Sequence, residues 1–253
     1  PRGAEALAAA GITHASLANN HALDRGVEGL LDTRRHLEEA GIEPFGAGAD
    51  RDAALRPVVI EAGDTTVAVV GAMQRWRKYR EAGWGATADR GGVAYLDQET
   101  LPALFPPTGV EPDVVVAFVH WGTEYEAVGE RTRATAAKLA DRDVDAVIGH
   151  HAHVPQAIGV VDGTPVLYGL GNAAFGSRGR FERGEGIGLV ARLVLGDGAL
   201  RRIELVTVRT DNRRVDFATA AMGARASERV LQRLAAEGPA ALRVVDGVGV
   251  LEV

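Results

Sequence analysis

The run Asp113-Val114-Val115-Val116-Ala117-Phe118-Val119-His120-Trp121-Gly122 decides the fold. Its continuous apolar stretch is the pattern of a strand buried on both faces, as in sheets covered by helices. His120 stands at the C-terminal end of that strand. A second strand of the same kind, Val144 to Ile148, runs into Gly149-His150-His151-Ala152-His153. Between them, Thr132 to Arg142 reads as a helix.

Upstream, Ala4, Leu7 and Ala8 share the face of a short opening helix that Gly11 can close. Ile12 to Ala18 reads as a strand, and Asn19-Asn20-His21 follows it as a loop. A helix from about Gly26 to Ala40 places Val27, Leu30, Leu31 and Leu37 broadly on one side and ends at Gly41. Val58 to Ile60 and Thr66 to Val70 flank Gly63-Asp64, a hairpin signal. Gln74 to Gly92 reads as a long polar loop. Downstream the style changes to hairpins: Ala157 to Val161 with Thr164 to Tyr168, then Gly188 to Leu195 with Leu200 to Val208. A helix near Ser227 to Ala236 and a weak strand near Val248 to Val253 close the chain. Helices alternating with strands, then paired hairpins, predict an α/β fold with helices flanking stacked sheets in a single domain, residues 1–253.

Composition narrows the function. The chain has 253 residues and a net charge of −6, which argues against a general nucleic-acid binder with its basic face. No run approaches the ~18 apolar residues of a membrane helix, and no signal-peptide pattern opens the chain. With no cysteine there are no disulfides, thiolate nucleophiles or cysteine metal sites, so any metal is held by nitrogen and oxygen. There is no P-loop, G-x-S-x-G, H-E-x-x-H or dinucleotide fingerprint.

The histidines carry the chemistry. His21, His120, His150, His151 and His153 all fall in short loops directly after apolar strands. Loops beyond strand C-termini are where α/β sheets place their ligands. In an extended segment His151 and His153 point the same way, and imidazole suits zinc, iron, manganese and similar ions. Glu124 and Tyr125 either line the same crevice or are solvated. Asn19 and Asn20 offer amide oxygens or form a turn pair. His21 suits acid–base work. Asp24 either orients that imidazole or caps the following helix. His14 and His36 read as structural. Arg75, Arg77, Lys78 and Arg80 form a basic loop, either solvated or in contact with an anion.

Five ordered motifs resemble the CapA-type capsule and poly-γ-glutamate synthesis proteins. Ala18-Asn19-Asn20-His21-Ala22-Leu23-Asp24-Arg25-Gly26 resembles the family's A-N-N-H-x-x-D-x-G, and Phe45-Gly46-Ala47-Gly48 its G-x-G. His120-Trp121-Gly122-Thr123-Glu124-Tyr125 and Gly149-His150-His151-Ala152-His153-Val154-Pro155-Gln156 resemble H-W-G-x-E-Y and G-H-H-x-H-V-x-Q. Tyr168-Gly169-Leu170-Gly171-Asn172 resembles Y-S-L-G-N, with Gly169 for Ser. The match runs from about residue 4 to 209, leaving 210–253 as a C-terminal extension of the same domain.

The resemblance implies a calcineurin-like metallophosphatase fold, a four-layer α/β/β/α sandwich with two divalent metals at one end. Mn, Fe, Zn and Mg are not distinguished. It implies Asn20, His120, His151 and His153 as metal ligands, and His21 with Asp24 as the catalytic pair. Asn19, His150, Glu124 and Asn172 would contact substrate. The implied chemistry is metal-dependent hydrolysis or transfer on an anionic polymer or phosphoester, or else a scaffold role in a membrane synthase complex. A membrane-associated or extracytoplasmic location goes with either. The family begins with a strand ending in Gly-Asp and a later Asn-Leu-Glu. Neither precedes Ala18 here, where the one acid is Glu5, so the expectation is an N-terminally incomplete domain lacking a metal carboxylate.

Overall fold

A computed structural model of the chain describes residues 2–97, 99–105, 111–175, 186–215, 218–238 and 242–253. It divides into two units, the first running to Glu61 and including Thr66–His120, the second comprising Ala62–Thr65 and Trp121–Val253.

The first unit opens with α1 (Arg2–Ala9), β1 (His14–Ser16) and α2 (Gly26–Glu39). Gly11 and Gly41 follow the two helices at φ +82° and +78°, the left-handed closure glycine makes without strain. α2 buries Leu30 and Leu37, but Leu31 is exposed, because the apolar positions cover a wider arc than the buried stripe. The first strand is shorter than the sequence suggests. Ile12 is exposed, and beyond Ser16 the chain turns, with Asn19 N donating to Leu17 O at 2.9 Å.

β1 pairs in parallel with β2 (Glu43–Phe45). Then come β3 (Ala47–Gly48), α3 (Arg51–Leu55), the hairpin strands β4 (Val58–Ala62) and β5 (Thr65–Gln74), α4 (Arg77–Glu81), β6 (Gly92–Val93), β7 (Tyr95–Leu96), α5 (Leu101–Leu104) and β8 (Val114–His120). β5 neighbours β4 and pairs in parallel with β8, from Val67 opposite Val114 to Met73 opposite His120. Val114, Val116, Ala117 and Val119 are all buried, so the apolar run is a strand covered on both faces, as expected. Gly46 has φ +76°, and a Cβ there would lie 2.7 Å from Ala18 Cβ, so the strand end closes only around glycine.

The stretch 74–92 is not the featureless polar loop its composition suggests. It contains α4, and Trp76, Tyr79 and Trp84 pack against a buried cluster that includes Ala18, Leu30, Met73 and Tyr95. Three aromatic anchors spaced through charged residues leave no periodic signal, yet they contribute large apolar surface.

The second unit contains α6 (Glu130–Ala140), β9 (Ala146–His150), β10 (Ile158–Val161), β11 (Thr164–Leu167), β12 (Ile187–Gly196), β13 (Ala199–Arg209), α7 (Asn212–Val215), β14 (Ala220–Ala221), α8 (Ala224–Ala236), β15 (Arg243–Val245) and β16 (Val248–Glu252). β11 lies between β9, its parallel partner, and β10, its hairpin partner. A second sheet runs β12-β13-β16-β15, with β14 on β13. Asp162-Gly163 and Asp197-Gly198 turn the two long hairpins with positive φ at both residues, the geometry that matches strand twist. α8 buries Val230, Leu231 and Leu234. Both units mix helices and sheets, the α/β class expected. Among the described residues no helix is long and apolar enough to cross a membrane, which says nothing of strands.

Candidate functional site

In the first unit the candidate residues gather where β8 ends. Its last residue, His120, is 6% exposed. Asn20 arrives from the loop after β1, and its Oδ1 lies 2.9 Å from His120 Nε2. The Asn20 backbone N–H approaches the same nitrogen at 3.3 Å. Residues one hundred apart in sequence are thus brought together. The edge of Trp76 faces the His120 ring, with centroids 6.0 Å apart, a packing contact that composition did not reveal.

The rest of the loop is held locally. Asn19 Oδ1 accepts from His21 N at 2.9 Å, an Asx turn. His21 Nδ1 lies 2.8 Å from Asp24 Oδ2, and both side chains are exposed. α2 begins after Arg25 with no side-chain cap, so Asp24 orients the imidazole rather than capping the helix. A carboxylate on one ring nitrogen fixes the tautomer and leaves the other ring nitrogen for a reacting group.

The histidine loop of the second unit is left-handed, not extended. Tyr125, His151 and His153 have φ of 61°, 99° and 61°. Such angles are costly for non-glycine residues and persist where surrounding contacts impose them. The turn therefore corrects the extended i, i+2 picture, although the His151 and His153 ring centroids are still only 6.2 Å apart. His153 is the better fixed of the two. Its Nδ1 lies 2.8 Å from Asn172 Oδ1, its ring stacks on Tyr125 at 5.3 Å, and Phe175 meets it edge-on at 5.1 Å. Asn172 thus positions His153. His150 has its Nε2 sealed from solvent, and burial, with the His151 charge beside it, pushes its pKa down to about 3. It stays neutral near pH 7. Glu124 is exposed.

Gly149 supports this loop. A Cβ there would meet Tyr168 O at 2.2 Å and Trp121 Nε1 at 2.3 Å. The buried Trp121 indole donates to that same carbonyl at 2.8 Å. Gln156 Nε2 donates to Glu126 O at 2.8 Å, while its Oε1 lies over Gly169, 2.8 Å from where a Cβ would sit. The glycine at a position where the family pattern has serine therefore faces a buried amide oxygen.

The remaining candidates have neighbours of their own within the chain. His14 lies 3.8 Å from Glu43 on the paired strand, and His36 meets Glu39 on its own helix. Each cation of the basic loop has a local neighbour. Arg75 pairs with Asp97 at 3.0 Å, Arg77 and Arg80 lie within 4 Å of Glu81, and Lys78 sits over the Tyr79 ring.

Imidazole nitrogens and amide oxygens suit divalent ions in kind. Among the described residues no group of three or more His, Asp or Glu side chains is gathered, and the first unit pairs one imidazole, His120, with one amide oxygen, Asn20.

The chain is thus an α/β protein that presents histidines and asparagines at the ends of its strands and on the loops that follow. The bacterial capsule synthesis protein family PGA_cap matches residues 1–177, and the chain belongs to that family. It is 32% identical over 160 residues to the PGA biosynthesis protein CapA of Bacillus subtilis, covering 62% of this chain and 41% of that protein. It is 32% identical over 177 residues to the capsule biosynthesis protein CapA of Bacillus anthracis, covering 68% and 42%. The chain spans less than half the length of these two relatives. Among solved structures it aligns with the calcineurin-like phosphoesterase YfkN of Bacillus subtilis at 15% identity and TM-score 0.44, covering 86% of this chain and 63% of that one.

Proposed function

We propose that the chain is the metal-dependent, phosphoesterase-type part of a protein that makes or exports capsule or poly-γ-glutamate polymer. The observation that carries this reading is the Asn20–His120 contact, which unites two motifs of the family at a buried strand end. Asn20 and His120 of the first unit, and His151 and His153 of the second, are the proposed divalent-metal ligands. The chemistry a divalent ion would supply there is polarisation of a phosphoester and activation of water. His21 holds the proton for the leaving oxygen, oriented by Asp24. Asn19 fixes the loop, and Asn172 fixes His153. Glu124, exposed near the histidine loop, is a proposed substrate contact. The substrate is an anionic polymer or phosphoester, and the setting a membrane synthase complex.

The test is to purify the chain with Mn²⁺, measure bound metal, and assay hydrolysis of bis-p-nitrophenyl phosphate. The reading expects both signals, each lost in His120→Ala and His151→Ala. Turnover that survives both substitutions refutes it.

The absence of a gathered three-ligand group among the described residues favours a second reading, a non-catalytic polymer-binding subunit. It expects polymer production to survive His151→Ala, with no turnover in either protein.

A further inference from the structure

His153 is held from three sides. Its Nδ1 lies 2.8 Å from Asn172 Oδ1, Tyr125 stacks on its face, and Phe175 meets it edge-on. An amide oxygen only accepts, so Nδ1 carries the proton and Nε2 keeps its lone pair. Two of the three holders, Asn172 and Phe175, share one short loop. That loop starts against β12: Gly171 bridges Gly188, and a Cβ on Gly188 would lie 1.9 Å from Asn172 O. Further along it is held by two side chains from beyond β13. The buried Asn212 amide donates to Phe175 O, and the Thr219 hydroxyl donates to Ala173 O. Both side chains stand on anchored backbone. Asn212 opens α7 soon after β13, where Thr210 N donates to Gly186 O at 2.8 Å. Thr219 precedes β14, which returns to pair with Val208 and Arg209 of β13. Asn212 and Thr219 lie past residue 177, where the family match ends.

We propose that Asn212 and Thr219 are positioning residues for the candidate site: by holding the loop backbone at Ala173 and Phe175 they keep Asn172 on His153 Nδ1 and so fix the tautomer that offers Nε2. This rests on, and deepens, the reading of His153 as a metal ligand. A neutral imidazole binds a metal through the nitrogen that carries no proton, and the hydrogen bond on the other nitrogen decides which one that is. The ring plane has a separate support, because Tyr125 N donates to Ala152 O at 2.8 Å and holds Tyr125 against the histidine loop. Releasing the 172–175 loop therefore leaves the ring stacked and frees its proton to sit on either nitrogen. Only part of the population is then ready to bind.

The test is long-range proton–nitrogen NMR of the full chain labelled with ¹⁵N-histidine. It is run in EDTA about two pH units above the ordinary imidazole pKa of ~6.5. His153→Gln identifies the His153 signals by their loss. The parent is expected to be protonated at Nδ1 alone. Asn212→Leu with Thr219→Val removes both donors and should give a mixture with the Nε2-protonated form, whereas Thr219→Ser, which keeps the hydroxyl, should keep the parent pattern. Leu231→Ala, in the buried face of α8, lowers stability without touching the loop and should leave the tautomer unchanged. A parent protonated at Nε2, or a double variant with the parent pattern, overturns the proposal. Mn²⁺ titration of the same proteins should show about tenfold weaker binding in the double variant, and equal affinity also overturns it. A parent with the Nδ1 proton that binds no Mn²⁺ refutes the metal reading alone. If circular dichroism shows the double variant unfolded, Thr219→Val replaces it, at an exposed position. A smaller shift in the same direction is then expected, and none is refuting.

Discussion

Replacing Gly149 with alanine tests how the histidine loop is supported. The added Cβ would lie 2.2 Å from Tyr168 O and 2.3 Å from Trp121 Nε1. Neither neighbour is the free end of a flexible chain. One is backbone, and the other is a buried indole hydrogen-bonded to that backbone. Relief requires β9 to move, which also strains the bond from Leu170 N to Gly149 O, now 3.0 Å. Overpacking costs about 1–3 kcal/mol, and an impaired buried hydrogen bond adds about 1–3 kcal/mol. The expected loss is thus about 4 kcal/mol, a large part of the ~5–15 kcal/mol that holds typical domains. In urea, followed by tryptophan fluorescence, this lowers the midpoint by about 1.5 M. Gly3→Ala is the control. It lies in α1, and its Cβ would meet nothing within 4 Å, so it should be neutral or slightly stabilising. If the Gly149 variant unfolds within about 0.3 M of the parent, the packing argument is wrong.

Further outcomes follow from the same geometry. Gly46→Ala places a Cβ at φ +76° and 2.7 Å from Ala18 Cβ, and should cost about 3 kcal/mol by the same denaturation assay; an unchanged midpoint contradicts this. Because His150 has a folded pKa near 3 against 6.5 unfolded, the unfolded chain takes up the proton first. Its contribution to stability is therefore complete above pH 6.5 and declines as pH falls toward 3, by at most about 1.4 kcal/mol per unit. Urea midpoints at pH 7 and pH 5 should diverge less in His150→Asn than in the parent, and equal divergence would remove the claim. Trp76→Ala should cost about 2 kcal/mol, since the half-buried ring anchors 74–92 against His120 and its neighbours. A cost near zero would mean that the segment is held by something else.

The parts of the fold written in local chemistry were legible in the sequence. The apolar run of β8, the Asp-Gly turns and the glycines that close α1 and α2 act within a few residues, so their patterns survive in one dimension. Leu31 and the 74–92 stretch depart from the sequence pattern for the opposite reason. Whether an apolar residue is buried, or three aromatics form an anchor, depends on what the tertiary structure brings against them. The site shows the same division. The ends of the strands placed His120 and the histidine loop, and spacing suggested that His21 and Asp24 meet. The contacts that set geometry were hidden: Asn20 on His120, Asn172 on His153, and the left-handed turn that replaces an extended segment. Each joins residues distant in sequence or depends on backbone angles that composition does not encode.

Metal binding tests the central claim most directly. Calorimetric titration of the chain with Mn²⁺ or Zn²⁺ should show saturable binding of one or two ions that weakens sharply in His120→Ala and in His151→Ala. Saturable binding that both variants retain, or none in the unaltered chain, would contradict a metal centre built on these residues.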